Sequence, residues 1–203
     1  QFEKNEIILE NNKKIKVGVI GAGNFASSTI IPILKELKRS CQILGVASSG
    51  GLSSEALAKN FKIKNKYQTE DEIFESDEID AVFVLTQHFN HAELVIRGIN
   101  SGKAVYVEKP LAINVDSITK IEEAMYNAED PKIFLGFNRR FSKASMFIKE
   151  KLNASPANAL NFRFSVPKLE RDHWTNIKEI GGGRIVGEAI HAIDLGTYFF
   201  DSL

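Results

Sequence analysis

Three groups of residues could carry chemistry. Val107-Glu108-Lys109-Pro110 places a carboxylate and an ammonium at the end of an apolar run. Pro110 keeps Lys109 out of helical geometry, so the pair stands where a strand stops. A lysine there can steady charge on a reacting oxygen or move a proton, although a solvated lysine after a strand is the competing reading. His191 lies in a glycine-rich entry to a helix, Gly181-Gly182-Gly183-Arg184-Ile185-Val186-Gly187-Glu188-Ala189-Ile190-His191. Three-residue spacing puts Glu188 and His191 on one helical face, where a carboxylate could orient an imidazole and raise its affinity for protons. Packing alone could equally account for a histidine in a helix.

The third group is Gly21-x-Gly23-x-x-Ala26. It follows the apolar run Ile15 to Ile20 and opens a helical pattern. Gly21 permits a tight turn, Gly23 has no Cβ to block a pyrophosphate, and Ala26 lets helix and sheet pack closely. Free N–H groups of Asn24, Phe25 and their neighbours would then face the phosphates. The motif is weak in isolation and strong in a strand–turn–helix setting. About 20 residues on, an acidic residue commonly holds the ribose hydroxyls. Here the second strand ends in Ala47-Ser48-Ser49-Gly50-Gly51. Ser48 could bind a hydroxyl or a 2′-phosphate, and the choice between NAD and NADP stays open.

The elements that must position these residues alternate. Strands are expected at Ile15 to Ile20, Ile43 to Ala47, Ile79 to Leu85, Ala104 to Val107 and Lys132 to Phe137. Helices are expected at Phe25 to Leu37, at Ser53 to Asn60 with Ser53 or Ser54 as cap, at Ala92 to Ile99 and at Val115 to Ala128. Such alternation implies crossover units and a mostly parallel sheet. After Asn138 the rhythm changes: a helix over Ser142 to Leu152, a period-two strand over Ala159 to Val166, an irregular stretch from Pro167 to Gly183, and a helix from Gly187 to Phe200. The expected division is a lead-in over 1–14, a dinucleotide-binding domain over 15–137 and the start of a second domain over 138–203.

Composition excludes several classes. Lys plus Arg equals Asp plus Glu at 26 each, so there is no basic field for nucleic acid. The longest apolar runs are strand-sized, so no membrane span is expected. A lone cysteine, Cys41, points weakly to the reducing cytoplasm. His88-x-x-His91 resembles a metal pair without a recognisable third ligand, and no metal is expected. The chain begins with Gln1 and stops just after an apolar helical pattern, which suggests a piece of a longer polypeptide.

Taken jointly, the Gly21 turn, Glu108-Lys109-Pro110-Leu111-Ala112, Gly136-Phe137-Asn138-Arg139-Arg140-Phe141 and the Gly181 to Asp194 segment resemble the glucose–fructose oxidoreductase / inositol dehydrogenase (Gfo/Idh/MocA) family. The resemblance implies an α/β protein: a doubly wound Rossmann domain, then a truncated α/β domain with an open, mainly antiparallel sheet that shapes the substrate pocket and often mediates homo-oligomerisation. It implies an NAD- or NADP-dependent oxidoreductase acting on a sugar, nucleotide sugar or related polyol. Lys109 would lie by the nicotinamide and the substrate oxygen, and His191 would move the proton. Thr86, His88, His91 and Glu108 would line the nicotinamide side; Arg139, Trp174 and Asp194 would face the substrate. The stretch from Asp172-His173-Trp174 to Glu188 is similar to a subgroup linked with bacterial surface polysaccharides, sometimes fused behind another dehydrogenase domain. Many family members carry Asp where Gly187 stands, so either Glu188 takes that role or His191 works without a carboxylate. A non-catalytic dinucleotide-binding sensor or interaction module on the same fold is the alternative.

Overall fold

In the computed structural model, residues 13–154 and 168–200 are described, with 159, 161, 163 and 165 between them. Five strands, β1 (Ile15–Ile20), β2 (Cys41–Ala47), β3 (Ala81–Val84), β4 (Ala104–Val107) and β5 (Ile133–Leu135), form one sheet in the order β2-β1-β3-β4-β5. Every pairing is parallel. The chain runs outward from β1 in both directions, so the order reverses between β1 and β3. Ligands of open parallel sheets bind at such a reversal, outside the carboxyl ends of the strands.

Helices cover both faces because each strand offers apolar side chains to both. Ile20, Val82, Val84, Val105 and Val107 pack against α3 (Glu70–Glu75), α4 (His91–Asn100) and α5 (Val115–Asn127) through Ile73, Leu94, Val95, Ile99 and Ile121. On the other face Val17, Val19 and Ile43 meet Ile30, Ile31 and Leu34 of a π turn (Ala26–Ile30) and α1 (Ile31–Glu36), with Leu57 of α2 (Leu52–Asn60). Burying a valine or leucine of this kind contributes roughly 1.5–3 kcal/mol before entropy is counted. Pro32 is the second residue of α1, directly after the π turn.

The second face is only half covered. Phe83 and Tyr106 stack at 4.9 Å between ring centres, and with Leu135 and Phe137 they line an apolar depression of about 890 Å³. Accordingly β3 alternates between buried and half-buried residues.

Two local expectations are corrected. Neither Ser53 nor Ser54 caps α2. Gly51, at φ +64°, starts the helix one residue earlier, and the Ser54 hydroxyl donates back to the Gly51 carbonyl at 2.7 Å. Helix α3 was missed altogether; Thr69 accepts from the Glu72 N–H while the Glu72 carboxylate accepts from the Thr69 N–H, a capping box.

Beyond β5 come a 3₁₀ turn (Asn138–Phe141), α6 (Lys143–Ala154), a second 3₁₀ turn (Trp174–Asn176), α7 (Lys178–Gly181), a π turn (Ile185–Ala189) and α8 (Ile190–Phe200). The stretch read as irregular thus holds two short helical turns. The apolar face of the expected strand, Leu160, Phe162, Phe164 and Val166, lies outside the described residues, as do residues 1–12 of the lead-in. Among the described residues no helix is long and apolar enough to cross a membrane.

Candidate active site

The glycine turn is built between two strand ends. The Gly21 N–H donates to the Ala47 carbonyl at 2.8 Å, which extends the β1–β2 ladder by one rung. Gly21 has φ +109°, and a Cβ there would stand 2.4 Å from the Leu85 carbonyl oxygen, so only glycine fits. At Gly23 the corresponding position meets no protein atom within 4 Å. That combination, one glycine required by the fold and one facing open space, fits a pyrophosphate approaching the backbone. Ala26 is buried against the sheet. At the end of β2 the Ser48 and Ser53 hydroxyls pair at 2.8 Å, beside the start of α2.

Strand β4 delivers Glu108 and Lys109 to the same end of the sheet. The Lys109–Pro110 peptide is cis. The Lys109 ammonium reaches across to the π turn and donates to the Gly187 carbonyl at 2.7 Å. Burial pulls its pKa below the usual lysine range; the charges of Glu108 and Glu188 oppose this and that of Arg139 adds to it. Burial also holds the Glu108 carboxyl above the usual range, although the Tyr106 hydroxyl donates to it at 2.7 Å.

His191, four residues past Gly187, is buried, and its Nδ1 has no hydrogen-bond partner among the described residues. Burial first, then the charges of Lys109 and Arg139, lower its pKa to about 4. The expected pairing with Glu188 does not form. Glu188 instead bonds Arg184 at 2.7 Å, one turn earlier on the same segment. The cause is the π turn between them: its i→i+5 bonding winds more slowly than an α-helix, so three-residue spacing no longer aligns the two side chains.

His88 Nδ1 donates to the Gly181 carbonyl at 2.8 Å, and its ring meets Trp174 edge-on at 4.7 Å. Trp174 therefore packs behind His88. Burial lowers the His88 pKa to about 4 as well. Thr86 stands at the mouth, its N–H 3.0 Å from where a Cβ on Gly21 would sit. Arg139 is exposed on the 3₁₀ turn after β5.

Two further assignments are corrected. Asp194 does not face a substrate: its side chain is 4% exposed and takes both Nε and Nη2 of Arg140, a bidentate pair across 54 residues. His91 does not line an opening either. It is fully buried, with both ring nitrogens against backbone carbonyls. Arg140, the partner that fixes α8, was missed, because nothing in local spacing signals a contact over that separation.

The family model described as "Oxidoreductase family, NAD-binding Rossmann fold" matches residues 15–135. The chain belongs to the Gfo/Idh/MocA family. Curated Gfo/Idh/MocA relatives include inositol 2-dehydrogenase/D-chiro-inositol 3-dehydrogenase of Lacticaseibacillus casei, 28% identical over 140 residues, covering 68% of this chain and 40% of the relative. Glucose-6-phosphate 3-dehydrogenase of Bacillus subtilis is 26% identical, covering 92% of this chain and 54% of the relative. Among solved structures, the myo-inositol dehydrogenase from Lactobacillus casei in complex with NAD(H) and myo-inositol aligns with a TM-score of 0.78 at 24% identity, over 93% of this chain and 55% of that one. That likeness shows the fold. The chain spans about half the length of the curated relatives it matches.

Two of the three buried imidazoles, His88 and His191, make stability depend on pH in a defined direction. Folding holds His88 and His191 near 4, below the ordinary 6.5, so the unfolded chain binds more protons between those values. Their contribution is full above pH 6.5 and is lost as pH falls toward 4. From pH 7 to pH 5 we expect a loss on the order of 2 kcal/mol per imidazole. Denaturant unfolding at both pH values should show it, and a His88→Asn, His191→Asn double variant should lack that part of the slope. An equal slope in both proteins would refute it.

Proposed function

We propose that this chain forms the cofactor-binding half of an NAD(P)-dependent oxidoreductase that acts on a CH–OH group of a sugar, nucleotide sugar or polyol. The observation that carries the reading is the Lys109–Gly187 hydrogen bond, which holds an ammonium from β4 against the turn that leads into His191, beside the glycine turn. The site residues fit a dinucleotide: Gly21, Gly23, Asn24, Phe25 and Ala26 would hold its pyrophosphate, Ser48 the ribose, and Thr86 and His88 its nicotinamide side. When bound, the nicotinamide supplies a carbon that takes up or gives back hydride.

The rest is done by side chains. Lys109 is half-buried, and the present acceptor of its ammonium is a neutral carbonyl that a substrate oxygen can replace. An ammonium there stabilises negative charge building on that oxygen, and stabilisation of this kind is worth more in a dry site than in water. His191 is neutral at pH 7 and can take up the hydroxyl proton. Glu108, beside Lys109, opposes loss of the lysine's charge. Support for the sugar and polyol class comes from the relatives' names, inositol and glucose-6-phosphate dehydrogenases among them.

One observation favours a second reading. No partner bonds His191 Nδ1 among the described residues, which suits a dinucleotide-binding module without turnover. Titration of the full-length protein with NADH and NADPH reads binding, and absorbance at 340 nm with NAD+ or NADP+ and a panel of polyols and sugars reads turnover; together they separate the two. Binding with turnover supports the oxidoreductase; binding without turnover supports the module; no binding of either nucleotide defeats both.

A further inference from the structure

His91 opens α4, and its ring is wholly inside the protein. Nδ1 stands 2.7 Å from the Pro110 carbonyl oxygen and Nε2 stands 3.1 Å from that of Thr86. These carbonyls belong to the two segments that flank the site. Thr86 follows β3 and abuts the Gly21 turn; Pro110 follows β4 and is bonded directly to Lys109. An apolar side chain of the same size would leave the buried Pro110 carbonyl without this donor, a cost the histidine removes. A neutral imidazole has one N–H, and the shorter contact assigns it to Nδ1, donating to Pro110.

We propose that His91 is a positioning residue that fixes the backbone directly after Lys109 through the Pro110 carbonyl, so that the ammonium is held against the Gly187 carbonyl at the mouth of the site. The inference rests on the reading of Lys109 as the group that steadies the substrate oxygen. It assigns His91 no contact with cofactor or substrate. Released from the clamp, the Pro110 segment would admit water, and Lys109 would titrate more like a free lysine. Other groups acting on Lys109 are Glu108, Glu188 and Arg139, and its own charge is felt by His88, His91 and His191.

The test compares the unaltered full-length chain with His91→Phe, which keeps the ring and loses both nitrogens, and His91→Asn, which keeps one amide donor. Acylation of Lys109 by acetic anhydride, followed across pH by mass spectrometry of its peptide, reads the lysine's titration directly. In His91→Phe the half-labelling pH should rise by about half a unit or more, and His91→Asn should recover most of that shift. A merely structural role would lower the melting temperature and leave the Lys109 profile in place; that result overturns the proposal. A measurement on the unaltered chain stands beside the variants. Nitrogen-15 spectra should show His91 with a slowly exchanging Nδ1–H, and an Nε2–H tautomer overturns the clamp to Pro110. None of these readouts needs bound nucleotide, so a chain that failed to bind NADH would defeat the functional reading and leave this result standing.

Discussion

Replacing Lys109 by Met is expected to lower kcat roughly 100- to 10,000-fold in the full-length protein, the range for loss of a positioned acid/base or charge-stabilising group. Methionine has nearly the same length and packs in the same half-buried path. What it lacks is the charge and the N–H now given to the Gly187 carbonyl. Losing that bond costs about 1 kcal/mol of stability, partly offset because the ammonium's own burial is unfavourable. NADH affinity should stay within about threefold, since the glycine turn is untouched. Turnover within a factor of three of the unaltered enzyme, measured at saturating substrate, would remove Lys109 from the chemistry.

The second large effect concerns the two glycines, which are expected to fail in different ways. Gly21→Ala forces a Cβ against the Leu85 carbonyl at 2.4 Å, on a residue at φ +109°. Strain of this kind costs about 1–3 kcal/mol before the clash is added. A fall of about 10 °C in melting temperature is therefore expected. A Cβ at Gly23 meets no protein atom within 4 Å, so Gly23→Val should leave stability within about 0.5 kcal/mol. Its side chain would occupy the space through which a pyrophosphate reaches the backbone, so NADH affinity should fall at least about tenfold. Calorimetry and thermal unfolding on the two variants check both statements. If Gly23→Val bound NADH as the unaltered protein does, the turn would not be the phosphate cradle.

How much of this was legible in the sequence depended on how local each signal was. Strands β1 to β4 announce themselves as apolar runs, and the Gly21 motif needs only six residues and its flanks. Helix α3 was overlooked because Glu70-Asp71-Glu72 reads as solvated loop, although Thr69 with Glu72 carries the capping signal. The Glu188–His191 pairing failed for a different reason. Spacing rules assume an α-helix, and the chain winds through a π turn there. The resemblance turned Asp194 toward the substrate, and no local signal reveals its pairing with Arg140, 54 residues away. Likewise nothing adjacent to His91 reveals that two carbonyls from separate crossovers converge on its ring. Periodicity reports which face is apolar; it cannot report which distant polar groups meet.

Finally, the segment from Gly181 to Gly187 is fastened to the sheet domain by its main chain: His88 bonds the Gly181 oxygen and Lys109 the Gly187 oxygen. Peptide oxygens are present whatever the side chain, so on the segment's own side this attachment uses no side chain. Mutation can therefore rewrite Arg184, Ile185 and Val186 without unfastening it, whereas Gly181, where a Cβ would stand 2.4 Å from the Thr175 backbone, and Gly182 and Gly183, at φ +76° and +78°, are held as glycine. A protein fixed in this manner can change what it recognises while keeping its reactive groups in place.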